Sequence, residues 1–440
     1  METLQLFPPG ARVDEQGQLW LGGCLASSLA QEFGTPLYVF DETTLRDRCQ
    51  AYQQTLAQHY PATGQVAYAG KAYLNLALAQ LFDQEGLSLD VVSGGELYVA
   101  RQASFPAERI HFHGNNKSAA ELAAALDENV GRIVVDNFHE LNLLERLADQ
   151  RQIRAPIWLR LSPNIDAHTH AYRKTGLLDS KFGFPLETGD AERALVRATA
   201  SPHLDLAGLH AHIGSQILDV EPFIKAVTVL LNFAAAMKVS HDFELREFSP
   251  GGGWGVPYHE ADAPAPVNRY VQAVSQAVVE GCRRHGLALP TLVIEPGRSI
   301  VAPAGVALYR VGARKEIPGV RIYVSVDGGM ADNIRPALYG ARYTALAANK
   351  AHQPAEETVT VAGRFCESGD VLIRDIALPR LSAGDLLAVP GVGAYCLPMA
   401  SNYNLAPRPA VVLVKEGQAS LIQRRETFED LTARDLPLPA

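Results

Sequence analysis

The sequence is poor in cysteine: five in 440 residues, at 24, 49, 282, 366 and 396, odd in number, widely spaced and never in a Cys-x-x-Cys pair. That pattern excludes a disulfide scaffold and a structural zinc site, and it points to a reducing compartment. No run of about 18 apolar residues occurs, so no membrane-spanning helix is expected. Met1-Glu2-Thr3-Leu4 lacks the basic and apolar regions of a signal peptide, which leaves the cytoplasm as the expected location. Basic residues are not in excess. The formal net charge is −9, which argues against a nucleic-acid partner. Internal repeats and low-complexity segments are also missing. What is present is a 47% hydrophobic, 20% charged chain, long enough for two or three domains with a large core.

The middle of the chain alternates short apolar runs with helix-like stretches. Eight runs read as strands: 65–71, 89–93, 110–114, 133–137, 157–162, 207–214, 247–253 and 292–297. Helical stretches such as 73–83, 119–126, 140–150 and 223–236 fall between them, the pattern of parallel βα units. Eight units in about 250 residues is the count and size of a TIM barrel, whose active site lies at the C-terminal strand ends. After Arg298 the pattern changes to strands without long helices, at 306–311, 321–326, 358–361, 386–389, 410–414 and 419–423, with a hairpin turn at 415–418. With a further strand at 18–21, these predict a barrel over residues 38–305 and a mostly β domain built from 1–37 and 306–440.

The strand ends carry reactive side chains: Lys71, Asp90, Asn115, Asp136, Arg160, His210, His212 and Glu295. Lys71 offers an amine for an imine. Gly251-Gly252-Gly253 offers backbone N–H groups that can approach an anion closely. Glu295-Pro296-Gly297-Arg298 sets a carboxylate beside a guanidinium. Together they suit pyridoxal phosphate, a cofactor that supplies the chemistry while the protein orients it. His210 and His212 share a strand face by the period of two, and no third ligand matches their spacing, so no metal is expected. Ser215 and Tyr395 are candidate phosphate donors. Arg335 and Tyr339 are a candidate carboxylate clamp. Cys366, among polar neighbours, is a candidate accessible thiol.

These motifs resemble the fold-type III pyridoxal-phosphate-dependent decarboxylases, most closely the branch acting on diaminopimelate. The resemblance runs from about Gly34 to Val414 through Tyr68-Ala69-Gly70-Lys71-Ala72, Asp90-Val91-Val92-Ser93-Gly94-Gly95-Glu96, Gly208-Leu209-His210-Ala211-His212-Ile213-Gly214-Ser215-Gln216, Glu295-Pro296-Gly297-Arg298 and Cys366-Glu367-Ser368-Gly369-Asp370. It implies an alanine-racemase-like barrel plus a β domain, and decarboxylation of meso-diaminopimelate to L-lysine. Lys71 would form the imine, His212 stack on the ring and Glu295 meet the ring nitrogen, with Asp90 close to the cofactor. Ser215, Gly251, Gly252, Gly253, Gly297 and Tyr395 would serve the phosphate. Arg298, Arg335, Tyr339, Glu367 and Tyr395 would bind substrate, and Cys366 would deliver the proton. Cys366 and Glu367 would reach across a homodimer interface, so that the β domain completes a shared site.

The segment His170–Gly176 also resembles the diaminopimelate branch. Tyr73, Cys396-Leu397-Pro398 and Leu405-Ala406 depart from the family's usual residues. The nearest alternative is a decarboxylase of ornithine, lysine, arginine or a carboxylated polyamine. Ornithine enzymes of the family carry Asp after the cysteine, where this chain has Glu367. An alanine racemase would place an arginine at the ring nitrogen. A non-catalytic regulator would have lost Lys71, His212, Glu295 or Cys366. A small pyridoxal-phosphate carrier would lack the β domain.

Overall fold

The computed structural model describes residues 2–165 and 179–439. The chain divides into two compact units: one of Arg48–Gly255 with Pro264–Ser299, the other of Met1–Asp47, Val256–Ala263 and Ile300–Ala440.

The first unit is a closed parallel barrel. Its strands are β1 (Gly64–Ala69), β2 (Ser88–Val91), β3 (Ile110–Phe112), β4 (Arg132–Val135), β5 (Ala155–Ser162), β6 (Leu204–His210), β7 (Glu247–Gly251) and β8 (Thr291–Ile294). Each pairs with the next, β8 pairs with β1, and all eight pairings are parallel. The eight predicted runs are these eight strands. Several strands hand over to their helices through a short polar cap, because an Asn or Ser side chain satisfies an orphan N–H of the first turn. Asn75 accepts from Leu78 N at 2.9 Å and Asn137 from Glu140 N at 3.0 Å, while Ser118 and Glu121 form a capping box.

Ala67, Val134, Trp158, Ala207 and Val293, from five different strands, form a buried cluster. The helix Glu221–His241 is long and apolar enough to cross a membrane. Here its face of Phe223, Ala226, Val227, Leu230, Leu231, Ala234 and Met237 is buried within the unit.

The second unit is mainly a sheet. Its longest strand, β9 (Gly305–Ile317), pairs antiparallel with β10 (Arg321–Val326), with the strand Leu37–Asp41 and with β13 (Leu386–Pro390). β11 (Glu357–Ala362) and β12 (Val371–Leu378) extend one edge. β14 (Ala410–Lys415) and β15 (Gln418–Gln423) extend the other, joined by the expected tight turn with Glu416 and Gly417 at φ 49° and 80°. A small sheet of Arg12–Val13, Leu19–Leu21 and Cys24–Leu25 lies near the N-terminus.

Candidate active site

Strand register assembles the centre of the barrel site. Ala69 pairs with Asp90, Asp90 with His111, and His210 with both Arg160 and Ser249. Side chains at equivalent heights on neighbouring strands therefore meet above the apolar cluster.

Glu295, just past β8, is buried. Its Oε2 lies 3.0 Å from His210 Nε2, and its Oε1 accepts from Ser249 Oγ at 2.5 Å. Burial alone pushes its pKa up, as does Asp90, but His210 and His113 outweigh them and hold the carboxyl below its ordinary value. Glu295 is thus an ionised carboxylate in a buried site. Asp90 Oδ1 lies 3.4 Å from His111 Nδ1 and 3.5 Å from His113 Nε2.

Lys71 does not end the strand. β1 stops at Ala69, and the lysine sits half-buried in a single 3-10 turn, Gly70–Ala72. A Cβ on Gly70 would come within 2.8 Å of Asp90 O, so the turn packs against the end of β2. The Lys71 charge is felt at three groups around it: it lowers the pKa of His113, His212 and Glu96.

His212 lies past the end of β6, and its Nδ1 accepts from Gly252 N at 3.3 Å. Burial first, then Lys71, Arg160 and the other histidines, hold its pKa well below the usual imidazole value. The ring is neutral, with its proton on Nε2. The three glycines also have a reason that the anion-cradle reading did not supply. A Cβ at Gly251, Gly252 or Gly253 would meet Ala211 O at 2.3 Å, Glu295 O at 1.8 Å and Gly214 O at 2.1 Å respectively. Backbone from neighbouring strand ends occupies the space of any side chain there. Ser215 Oγ accepts from Arg298 Nη2 at 3.0 Å, and Gly297 lies against Ala69 and Ala72.

In the second unit, Arg335 begins the short helix Arg335–Tyr339 and is 2% exposed. Its guanidinium bonds Tyr343 Oη and lies 4.6 Å from the Tyr258 ring centroid. Burial opposes its charge, but the Tyr258 and Tyr343 oxygens and the Cys396 sulfur outweigh burial and raise its pKa. Arg335 Nε has no hydrogen-bond partner among the described residues. Cys396, one of the departures from the family pattern, is fully buried 3.5 Å from Tyr343 Oη. Cys366 is exposed, with its N–H donating to Asn404 Oδ1 at 3.0 Å and its carbonyl accepting from Tyr403 Oη at 3.1 Å. Glu367 is exposed in the same turn, Tyr339 is half-buried, and Tyr395 takes a left-handed φ of 62°.

The structure thus gathers Lys71, Asp90, His212, Gly251–Gly253 and Glu295 in one unit, pairs Ser215 with Arg298, and carries Arg335, Tyr339, Cys366, Glu367 and Tyr395 on the other. The segment 170–176 lies outside the described residues.

The chain matches the family model for the pyridoxal binding domain of pyridoxal-dependent decarboxylases over residues 42–302. The chain belongs to the pyridoxal-dependent decarboxylases. Among its relatives is the diaminopimelate decarboxylase of Bacillus subtilis, 50% identical over 427 residues, covering 97% of each chain. The Synechocystis protein of the same name is 45% identical, covering 98% of this chain and 92% of the relative. A crystal structure of diaminopimelate decarboxylase from M. jannaschii in co-complex with L-lysine matches with a TM-score of 0.92 at 35% identity, covering 98% of this chain and 99% of that one.

The residues present fit the pyridoxal phosphate of this decarboxylase family. A half-buried amine after β1, an ionised buried carboxylate after β8 and a neutral imidazole after β6 occur at the same end of the barrel. Asp90 Oδ1 and His113 Nε2 are buried there without hydrogen-bond partners among the described residues. Sequence spacing showed no third ligand beside His210 and His212. The fold instead brings His113 and Glu295 to His210, with ligand atoms all within 4.8 Å, and leaves His212 out. The hydrogen bond between His210 and Glu295 already joins two of those three groups.

Sequence reasoning passed over His111, His113, Ser249, Tyr258 and Tyr343. The one available signal was His111-Phe112-His113, a second His-x-His at a strand end that repeats the pattern of His210-Ala211-His212.

Proposed function

We propose that this decarboxylase converts meso-2,6-diaminopimelate to L-lysine and carbon dioxide, closing lysine biosynthesis. One observation carries the reading: near-full-length identity to proteins named diaminopimelate decarboxylase, with Lys71, His212, Glu295, Arg335, Cys366 and Glu367 all in place.

Pyridoxal phosphate, when bound, supplies an aldehyde for imine formation and a ring that accepts the electron pair left by departing carbon dioxide. Lys71 would hold the cofactor by its amine, the covalent strategy of such lysines. Glu295, kept ionised by His210 and His113 and bonded by Ser249, would hold a proton on the ring nitrogen, beside Asp90. His212 presents a neutral face for stacking. Ser215, Gly251–Gly253, Gly297 and Tyr395 serve the phosphate. Arg298, Arg335, Tyr339, Glu367 and Tyr395 bind the charged ends of the substrate; Arg335 is supported by its buried, pre-oriented guanidinium. Cys366 returns a proton to the carbon that lost the carboxylate. Cys366 and Glu367 serve the site of a partner subunit, which makes the working form a homodimer. Five free cysteines support a cytoplasmic location.

The test is carbon dioxide release by the cofactor-loaded protein from meso-diaminopimelate, ornithine, lysine and arginine in parallel. Turnover of meso-diaminopimelate that is lost in Lys71→Ala is expected. Turnover of a different substrate overturns the assignment of diaminopimelate.

A further inference from the structure

His113 stands between the two acidic groups of the barrel site. It follows β3 and is anchored by its N–H to Val91 O at 2.8 Å. The residue is 6% exposed. Its Nε2 lies 3.5 Å from Asp90 Oδ1 and 4.0 Å from Glu295 Oε1, and its ring meets His210 edge-on at 4.8 Å. Neither His113 Nε2 nor Asp90 Oδ1 has a hydrogen-bond partner among the described residues.

Two carboxylates in one buried site raise each other's proton affinity, and such pairs tend to share a proton. Glu295 must stay ionised to hold a proton on a ring nitrogen. His210 and Ser249 already bond its two oxygens, but neither group stands between Glu295 and Asp90, whose charge still raises its pKa. The groups facing this point are Lys71 after β1, Asp90 on β2, His111 on β3, Arg160 on β5, His210 on β6, His212 after β6 and Glu295 after β8. Among the described residues, His113 is the one whose side-chain nitrogen lies within 4.0 Å of both carboxylates. Burial keeps this imidazole neutral, so it carries one N–H.

We propose that His113 is a positioning residue, a shared Nε2–H donor set between Asp90 and Glu295 that offsets their mutual repulsion, an inference resting on the role given to Glu295 above. Removing the donor raises the proton affinity of Glu295, so activity is lost earlier as the pH falls.

His113→Gln keeps an N–H donor of similar reach, and His113→Leu removes it. Both are loaded with pyridoxal phosphate and compared with the wild-type protein. The readouts are the visible absorption band titrated against pH, the cofactor dissociation constant from apo-protein titration, and kcat and KM across pH. For His113→Leu we expect the acid limb of kcat and the band titration to move up by about one pH unit, with cofactor binding about tenfold weaker and KM little changed. His113→Gln restores most of each. An unmoved acid limb and band in His113→Leu overturns the proposal, and so does a His113→Gln protein as defective as His113→Leu. Should His113→Leu fail to fold, Asp90→Asn decides: removing the second carboxylate must move the acid limb down, and an unmoved limb overturns the proposal. A wild-type protein that shows the band but releases no carbon dioxide from meso-diaminopimelate overturns the substrate assignment alone, and the band titrations still judge His113.

Discussion

A Cβ at Gly252 would sit 1.8 Å from the carbonyl oxygen of Glu295, a backbone atom that cannot swing aside. Gly252→Ala must therefore push β7 away from the end of β8, and overpacking of this kind costs about 1–3 kcal/mol. The same shift drags Glu295 off His210 and Ser249. We predict a lower midpoint in urea together with loss of cofactor retention on dialysis; normal retention would mean that the strand ends move independently of the site. Asp332 makes a different prediction. It is 4% exposed and accepts from Tyr309 Oη at 2.5 Å and Gly329 N at 2.8 Å. Burial nonetheless raises its pKa to about 6 from 3.8. A raised carboxyl pKa favours the protonated folded form. The contribution is full below about pH 4 and fades as the pH rises through 6, by on the order of 3 kcal/mol. Asp332→Asn should flatten that decline in unfolding free energy between pH 4 and 7. Parallel wild-type and variant curves would refute it. At this scale the sequence reveals residues with a local signature, such as Lys71 before its helix or Glu295-Pro296-Gly297-Arg298. It hides His113, Ser249 and Tyr343, whose partners arrive through strand register or chain folding many residues away.

Between elements, a buried ion pair acts as a staple. Lys117, after β3, bonds Glu140 Oε1 at 2.8 Å in the first turn of the helix Phe138–Gln150, and also the Gly114 and Val134 carbonyls at 2.8 Å each. Both side chains are buried, and burial pushes the Glu140 carboxyl up to about 7. Such a pair is costly to break from one side because the remaining charge is stranded, at about 3–5 kcal/mol. We predict that Lys117→Met destabilises the barrel by about that amount, and that Lys117→Met with Glu140→Leu recovers most of it. Guanidinium unfolding of the two single variants and the double variant closes the cycle, and simple additivity would argue against a stapling role. The elements themselves were largely legible. The barrel strands are apolar runs bounded by caps, and each run was found. β12 was not, because Arg374 and Asp375 break its apolar pattern, with Asp375 at φ 52° inside the strand. The strand Leu37–Asp41 is buried on both faces, and such a run carries no alternation to read.

For the whole molecule, the decisive question is whether one chain can work alone. Cys366 and Glu367 ride on an exposed turn held by Asn404 and Tyr403, a placement suited to meeting a second copy. In a two-fold dimer with shared sites, each site takes Lys71 from one subunit and Cys366 from the other. Lys71→Ala and Cys366→Ala homodimers should then each be almost inactive. In their mixed dimer, one site collects both defects and the other collects neither. Mixing the two variants in equal amounts under exchanging conditions makes about half the dimers mixed, each with one intact site, so activity should return to about a quarter of wild type. If Lys71 and Cys366 of one site came from the same chain, every site in every mixture would carry one lesion and no activity would return. A different affinity tag on each variant, with sequential capture of doubly tagged dimers, separates that outcome from a failure to exchange subunits. Recovery near a quarter, with a dimer-sized species, would establish that the catalytic unit is a pair of chains.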